Sequence, residues 1–434
     1  MSTSTRQGLT LSSPWAGLSY GAMGFPLAFV ALPLYVVLPN HYATQFGVPL
    51  AALGTLLLLV RLLDAVVDPW IGHRMDAAFQ RGTATVLMAC AAAALVLAIG
   101  LQALFFPWVQ GPDALLLWCA GCLVFTYGGY SVLSVAHQAW GARLGGDAAQ
   151  RTRIVAWREA LALLGVLVAS ALPALAGLQT LCIVFAAALL AGCWLLGKAP
   201  RATEPTGSNS TNSAGTPPAS ASSVNPWSDA AFQRLITVFL LNGVASAIPA
   251  TLVLFFIRDR LKLPGWEPIF LVIYFLAGAL SMPVWVKAVS RWGLARLWLT
   301  GMLMAVAAFV WAAALGDGDQ LAYSVVCLLS GLALGADLAL PGALLAGVIQ
   351  RAGMQAQGAG AYFGWWNFAT KLNLALAAGL SLPLLQWMGY EPGARDDASL
   401  KALSLAYCLL PCALKLLAAA SLIQVWMRFE QGEP

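Results

Sequence analysis

Apolar stretches long enough to cross a bilayer recur along almost the whole chain. They run over residues 15–40, 48–71, 84–107, 114–142, 154–177 and 178–196, and resume over 232–257, 268–289, 295–315, 320–348, 359–387 and 400–427. A membrane-spanning helix takes about 20 predominantly apolar residues, so the pattern predicts twelve spans, six on each side of a break. The break, residues 198–230, is rich in Ser, Thr, Asn, Pro, Gly and Ala, with almost no large apolar residue before Trp227. It reads as a flexible linker, too polar to pack. The predicted organisation is an all-α integral membrane protein. It has a tail over 1–13, a six-helix bundle over 14–197, the linker over 198–230, a second six-helix bundle over 231–428 and a tail over 429–434. The first span begins near Trp15 and is too long for a cleavable signal, so it is expected to be retained.

Composition places the chain in the same class. Of its 434 residues 60% are hydrophobic and only 9% are charged, against about 25% charged in soluble domains. The formal charge of +5 is scattered between apolar runs, which argues against nucleic acid as a partner. With the N-terminus inside, fifteen Lys and Arg fall in inner tails and loops, and five fall outside (Arg258, Arg260, Lys262, Arg395 and Lys401). Both termini are therefore expected in the cytoplasm, in a bacterial-type inner membrane. Cys119-Ala-Gly-Cys122 has redox or metal spacing but sits among Leu, Trp and Val. No second ligand pair lies nearby, so small core residues are the better reading. The three histidines (41, 73 and 137) are in separate segments, which gives no metal-spaced pair and no cluster for an integral-membrane enzyme.

Charge inside the spans changes the picture most. The second run contains Arg61-Leu-Leu-Asp64-Ala-Val-Val-Asp68-Pro69. At about 100° per residue, positions 61, 64 and 68 lie within roughly 60° of one helical face. Charged groups are tolerated at such depth only toward a protein interior or a watery cavity. Two carboxylates and one guanidinium leave one negative charge uncompensated, as a proton or Na⁺ site requires; a helix-internal ion pair between Arg61 and Asp64 is the structural alternative. Lys371 in span eleven and Asp337 in span ten, within Gly331-Leu-Ala-Leu-Gly335-Ala-Asp337-Leu-Ala-Leu-Pro341, are further midspan charges. They either pair with each other or take part in ion coupling. Lys415 in span twelve reads as a residue that snorkels or pairs locally.

The halves also hint at repetition. Gly72-His-Arg-Met-Asp76 with Arg81-Gly82 follows span two, and Lys287-Ala-Val-Ser-Arg291-Trp-Gly293 with Arg296 follows span eight. Matching basic turns in two six-helix halves suggest a parallel-repeat transporter with a midplane cavity. Twelve spans, a long central linker and the degenerate Gly-x-x-x-Asp loop resemble the major facilitator superfamily. More narrowly, Arg61-x-x-Asp64-Ala65-x-x-Asp68-Pro69-x-x-Gly72 resembles the signature of the glycoside–pentoside–hexuronide:cation symporters, the melibiose permease group. Leu18-Ser-Tyr-Gly21, Gly54-Thr55, Trp140, Arg158 and Lys371 extend the likeness over most of the chain.

That resemblance implies that Asp64 and Asp68 bind the coupling H⁺ or Na⁺, with Arg61 tuning the site and Lys371 needed for coupling. It places Trp140 under a sugar ring, where the alternative is an interfacial anchor, and gives Arg158 a substrate-linked role, where a positive flank explains it equally. His137 and Trp365 join the expected substrate side, although a lone histidine such as His137 is more often a satisfied core residue. Two departures stand out: Pro26 and Ala136 occupy positions where sugar-binding members carry aspartates, and Leu133 replaces a hydroxyl residue that supports the cation. The expected protein is a cation-coupled secondary transporter of a sugar or glycoside. It needs no organic cofactor and works as a monomer in the bilayer. A lysolipid or other amphiphile is the second substrate class, and a membrane receptor the remaining alternative.

Overall fold

The structure, a computed structural model, describes residues 13–201, 224–390, 393 and 396–427. Arg395, both terminal tails beyond these limits and most of the linker lie outside the described residues. Among the described residues the regular structure is helical throughout. The first six long helices are α1 (Pro14–Gln45), α2 (Leu50–Arg81), α3 (Thr83–Phe105), α4 (Pro112–Arg143), α5 (Ala148–Pro173) and α6 (Leu175–Lys198). The second six are α7 (Ala230–Arg260), α8 (Glu267–Trp292), α9 (Leu294–Ala312), α10 (Gln320–Arg351), α11 (Ala359–Trp387) and α12 (Asp397–Gln424). Eleven of these are long and apolar enough to cross a membrane; the twelfth, α2, has equal reach but carries Arg61, Asp64 and Asp68 in its apolar half. The twelve-helix expectation therefore holds.

Local chemistry explains many boundaries. Ser13 caps α1 by accepting a hydrogen bond from Ala16 N at 3.2 Å, with Pro14 in the first turn. Asp147 caps α5 through Gln150 N at 2.7 Å. Within α1 the ladder widens to a π-helical turn over Pro33–Val37, as expected where a proline withholds its N–H. The turns after α2 and α8 are built alike, on Gly82 (φ +116°) and Gly293 (φ +76°), a conformation that favours glycine. The repeat suggested by the two basic loops thus has the same backbone solution in each half.

The chain divides into two compact units. Unit 1 comprises residues 1–228, as far as described, with 346–367; unit 2 comprises 229–345 with 368–434. In unit 1, α1 lies close against α5: a Cβ on Gly21 would meet the Trp157 backbone, and one on Gly24 or Gly165 would strike the Arg158 or Phe25 carbonyl. Small residues at such crossings let helix backbones approach, which is how apolar helices associate without a hydrophobic drive between them. Phe29 stacks on Phe185 at 5.7 Å in this core. In unit 2, Phe256 stacks on Tyr407 at 4.3 Å, and the Tyr407 hydroxyl bonds that of Tyr323 at 2.6 Å.

Candidate functional site

The apolar half of α2 sorts its residues by face. Leu58, Leu59, Leu62, Leu63, Val66 and Trp70 are exposed and, by helical geometry, centre on one stripe. Arg61, Asp64 and Asp68 centre roughly 180° away. The exposed leucine stripe is the surface fit for lipid, so the carboxylates point away from it. Asp68 is fully buried and Asp64 half-buried. Ser131 on α4 donates to Asp64 Oδ1 at 2.9 Å. The Arg61 guanidinium lies 3.7 Å from the centroid of the Tyr35 ring on α1, a cation–π contact. The carboxylates and the Ser131 hydroxyl supply hard oxygen donors.

Two residues before Leu133, α4 does offer a hydroxyl to this face, that of Ser131. Leu133 is fully buried in the core, while Ser131 faces α2. On a helix those positions lie about 160° apart, so Ser131 and Leu133 serve different faces of α4.

Three glycines bring α11 against the Asp68 turn. A Cβ on Gly364 would lie 2.6 Å from the Asp68 carbonyl oxygen and 2.9 Å from Pro69 Cα, and Gly72 and Gly360 touch backbone to backbone. One turn further, Asp76 accepts hydrogen bonds from Gly360 N at 2.7 Å and Ala361 N at 2.8 Å. These are first-turn amides of α11, which have no partner within their own helix. Arg143 on α4 donates to Asp76 at 3.1 Å and to the Ala356 carbonyl at 2.7 Å. The degenerate Gly-x-x-x-Asp loop is therefore a latch that caps α11 from another helix. Asp76→Ala strips two buried amides and Arg143 of their acceptor, at an expected cost of about 1–3 kcal/mol. Hydrogen exchange at Gly360 and Ala361 should speed up accordingly, and unchanged exchange would refute the capping role.

Beside the latch, Gln138 donates to Ser134 at 2.8 Å and to Asn367 at 2.9 Å, and Asn367 donates to Ser134 at 3.2 Å. His137 is fully buried and forms a reciprocal pair with Tyr20. Its Nε2–H donates to the Tyr20 carbonyl at 2.8 Å, and the Tyr20 hydroxyl donates to the His137 carbonyl at 3.0 Å. Arg158 is held by Glu159 at 2.6 Å. Trp140 is buried, donates to the Pro200 carbonyl at 2.9 Å and packs edge-on to Phe79. Trp365 meets Trp227 edge-on at 5.1 Å. Trp140 lies nine residues beyond Ser131, or about 13 Å along α4, which sets it apart from the aspartates. Pro26 and Ala136 are both buried.

Unit 2 corrects one expectation. Asp337 does not pair with Lys371. Lys415 donates to Asp337 Oδ2 at 2.6 Å and to Ser246 at 2.8 Å. Trp298 and Asn242 donate to Asp337 Oδ1 at 3.0 and 3.2 Å. Lys415 neither snorkels nor pairs locally: it is buried and bridges α12 to α10 and α7. Lys371 is half-buried on α11. Neither Lys415 nor Asn242 carried a spacing signal that could have picked it out; only the unusual cost of a midspan lysine pointed to the first. All eight cysteines are free, and among the described residues no group of three or more His, Cys, Asp or Glu is placed to hold a metal ion.

A family model described as MFS/sugar transport protein matches residues 17–426. No curated protein matches the chain in sequence. Among solved structures, a bacterial homologue of the iron transporter ferroportin in an outward-facing state is similar with a TM-score of 0.68 and 16% identity, over 95% of this chain and 99% of that one. The E. coli fucose:proton symporter is similar with a TM-score of 0.59 and 14% identity, over 94% of this chain and 98% of that one. At such identities the likeness is one of fold.

Proposed function

The chain belongs to the MFS/sugar transport protein family of major facilitators, and from that premise we propose that it is a cation-coupled symporter of the glycoside–pentoside–hexuronide type. It is a multi-pass membrane transporter and not an enzyme. The observation that carries the coupling is the charged face of α2. Asp68 is buried, Asp64 is hydrogen-bonded by Ser131, and both stand opposite the exposed apolar stripe. Proton or Na⁺ binding there neutralises the excess charge and permits reorientation with the solute bound. The proposed setting is a bacterial inner membrane with both termini cytoplasmic, and a monomer without an organic cofactor. Ser131 adds a neutral oxygen ligand, which brings Na⁺ within the capacity of the site alongside H⁺.

A sugar or glycoside is the first substrate class. The fucose:proton symporter shares the fold, and the family model is one of sugar transport. Buried Pro26 and Ala136 offer no side-chain acceptor where a sugar carboxylate would stand, and this favours a lysolipid or other amphiphile as the second reading. Uptake into vesicles under an imposed ΔpH or Na⁺ gradient, against a panel of sugars and lysolipids, separates the two. Gradient-driven accumulation should vanish when Asp64 and Asp68 are both changed to Asn. Wild-type rates with unchanged ion dependence would end the proposal.

A further inference from the structure

We propose that unit 2 carries its own hydroxyl-recognising subsite, formed by the side-chain carbonyl oxygens of Asn242 on α7 and Asn373 on α11, beside the Asp337–Lys415 pair. The inference rests on the transport reading and adds to it where one part of the solute is held. Both asparagines are 4% exposed, and the Oδ1 of each is buried with no hydrogen-bond partner. Asn242 uses its amide N–H to bond Asp337, so its oxygen is the end left over. Asn373 sits where α11 meets α7 at Gly243, and a Cβ on that glycine would collide with the Asn373 amide. The missing side chain there makes the room that the amide occupies.

Asn242, Gly243 and Ser246 fall within about 100° on α7, so the Asn373 amide and the Asp337 cluster lie on adjoining strips of one helix. Ser246 is exposed, which gives this patch an opening. Buried acceptors are rarely left unpaired in native proteins, because losing water without gaining a donor is unfavourable. Two of them on adjoining strips point to a donor that is not part of the chain. Charge decides what kind. Lys415 already neutralises Asp337 at 2.6 Å, and its fixed ammonium repels a second cation. The fitting ligand is therefore a neutral O–H donor, a polyhydroxylated solute rather than the coupling ion.

The test uses the full-length protein in detergent, titrated with D-glucose, D-galactose, D-xylose and myo-inositol and followed by thermal unfolding. The same protein in proteoliposomes is assayed for counterflow of the same labelled probes. At least one probe should stabilise the wild type. Asn373→Leu keeps the branching and heavy-atom count of the side chain and loses no hydrogen bond at Oδ1. It should unfold, without probe, at or above the wild-type temperature and bind the probe about tenfold more weakly or worse. A lower probe-free unfolding temperature would make Asn373 a structural residue, and the proposal would fall. It would fall equally if no probe bound the wild type, or if affinity were unchanged in the variant because the oxygens hold only water. Binding that depends on Asn373 without wild-type counterflow would overturn the transport reading and keep the subsite. Counterflow with unchanged affinity in the variant would do the reverse.

Discussion

Lys415→Met should destabilise the protein by about 3–5 kcal/mol, because it leaves Asp337 as a buried carboxylate without its counter-charge. The side chains of Lys415 and Asp337 are only 9% and 13% exposed, so solvent offers little compensation. Trp298 and Asn242 would still donate to Oδ1, but two neutral donors do not replace an ammonium. Asp337→Asn should cost a similar amount by stranding the ammonium, which would keep only the Ser246 hydroxyl. The double variant Asp337→Asn/Lys415→Met removes both charges and should recover much of the loss, as replaced buried pairs commonly do. Thermal unfolding of the four proteins forms a double-mutant cycle. Equal, additive losses would show that the two groups do not interact in the membrane-embedded protein.

Asp68→Asn should abolish gradient-driven accumulation while leaving solute exchange across the membrane measurable. The substitution preserves shape and removes the charge that the coupling ion would neutralise. Asp64→Asn should be milder. The Asn oxygen still accepts from Ser131, and Asp64 is only half-buried, so ion affinity should fall by roughly tenfold with coupling retained. The order of the two effects follows from burial, since a carboxylate sealed from water is the costlier one to leave without a cation. Proteoliposome uptake under ΔpH or a Na⁺ gradient, compared with counterflow at zero gradient, measures both. If both variants couple as well as the wild type, the α2 carboxylates have no role in ion binding.

The difference between these two sites shows how far one-dimensional reading extends. Membrane-spanning character is a sum over about 20 neighbouring residues, so the helices were legible wherever apolar residues ran on. Even α2 was legible, with its three charges. The common face of Arg61, Asp64 and Asp68 was legible for the same reason, because the angle between residues on one helix is fixed by local geometry. So was the pair of basic turns that end on Gly82 and Gly293.

Partners across helices were not legible. Asp337 finds Lys415, 78 residues away, instead of Lys371; Asp64 finds Ser131, Asp76 finds the amides of Gly360 and Ala361, and His137 finds Tyr20. A charge or a hydroxyl announces its need for a partner in the sequence. Which group answers depends on which helix faces pack together, and that is set by glycine contacts such as Gly72 on Gly360. Sequence alone determined that this chain is a twelve-helix membrane protein with ionisable groups gathered on one face of its second helix. The tertiary structure decided what each of those groups touches, because hydrogen bonds and ion pairs act over a few ångströms in space, whatever their separation along the chain.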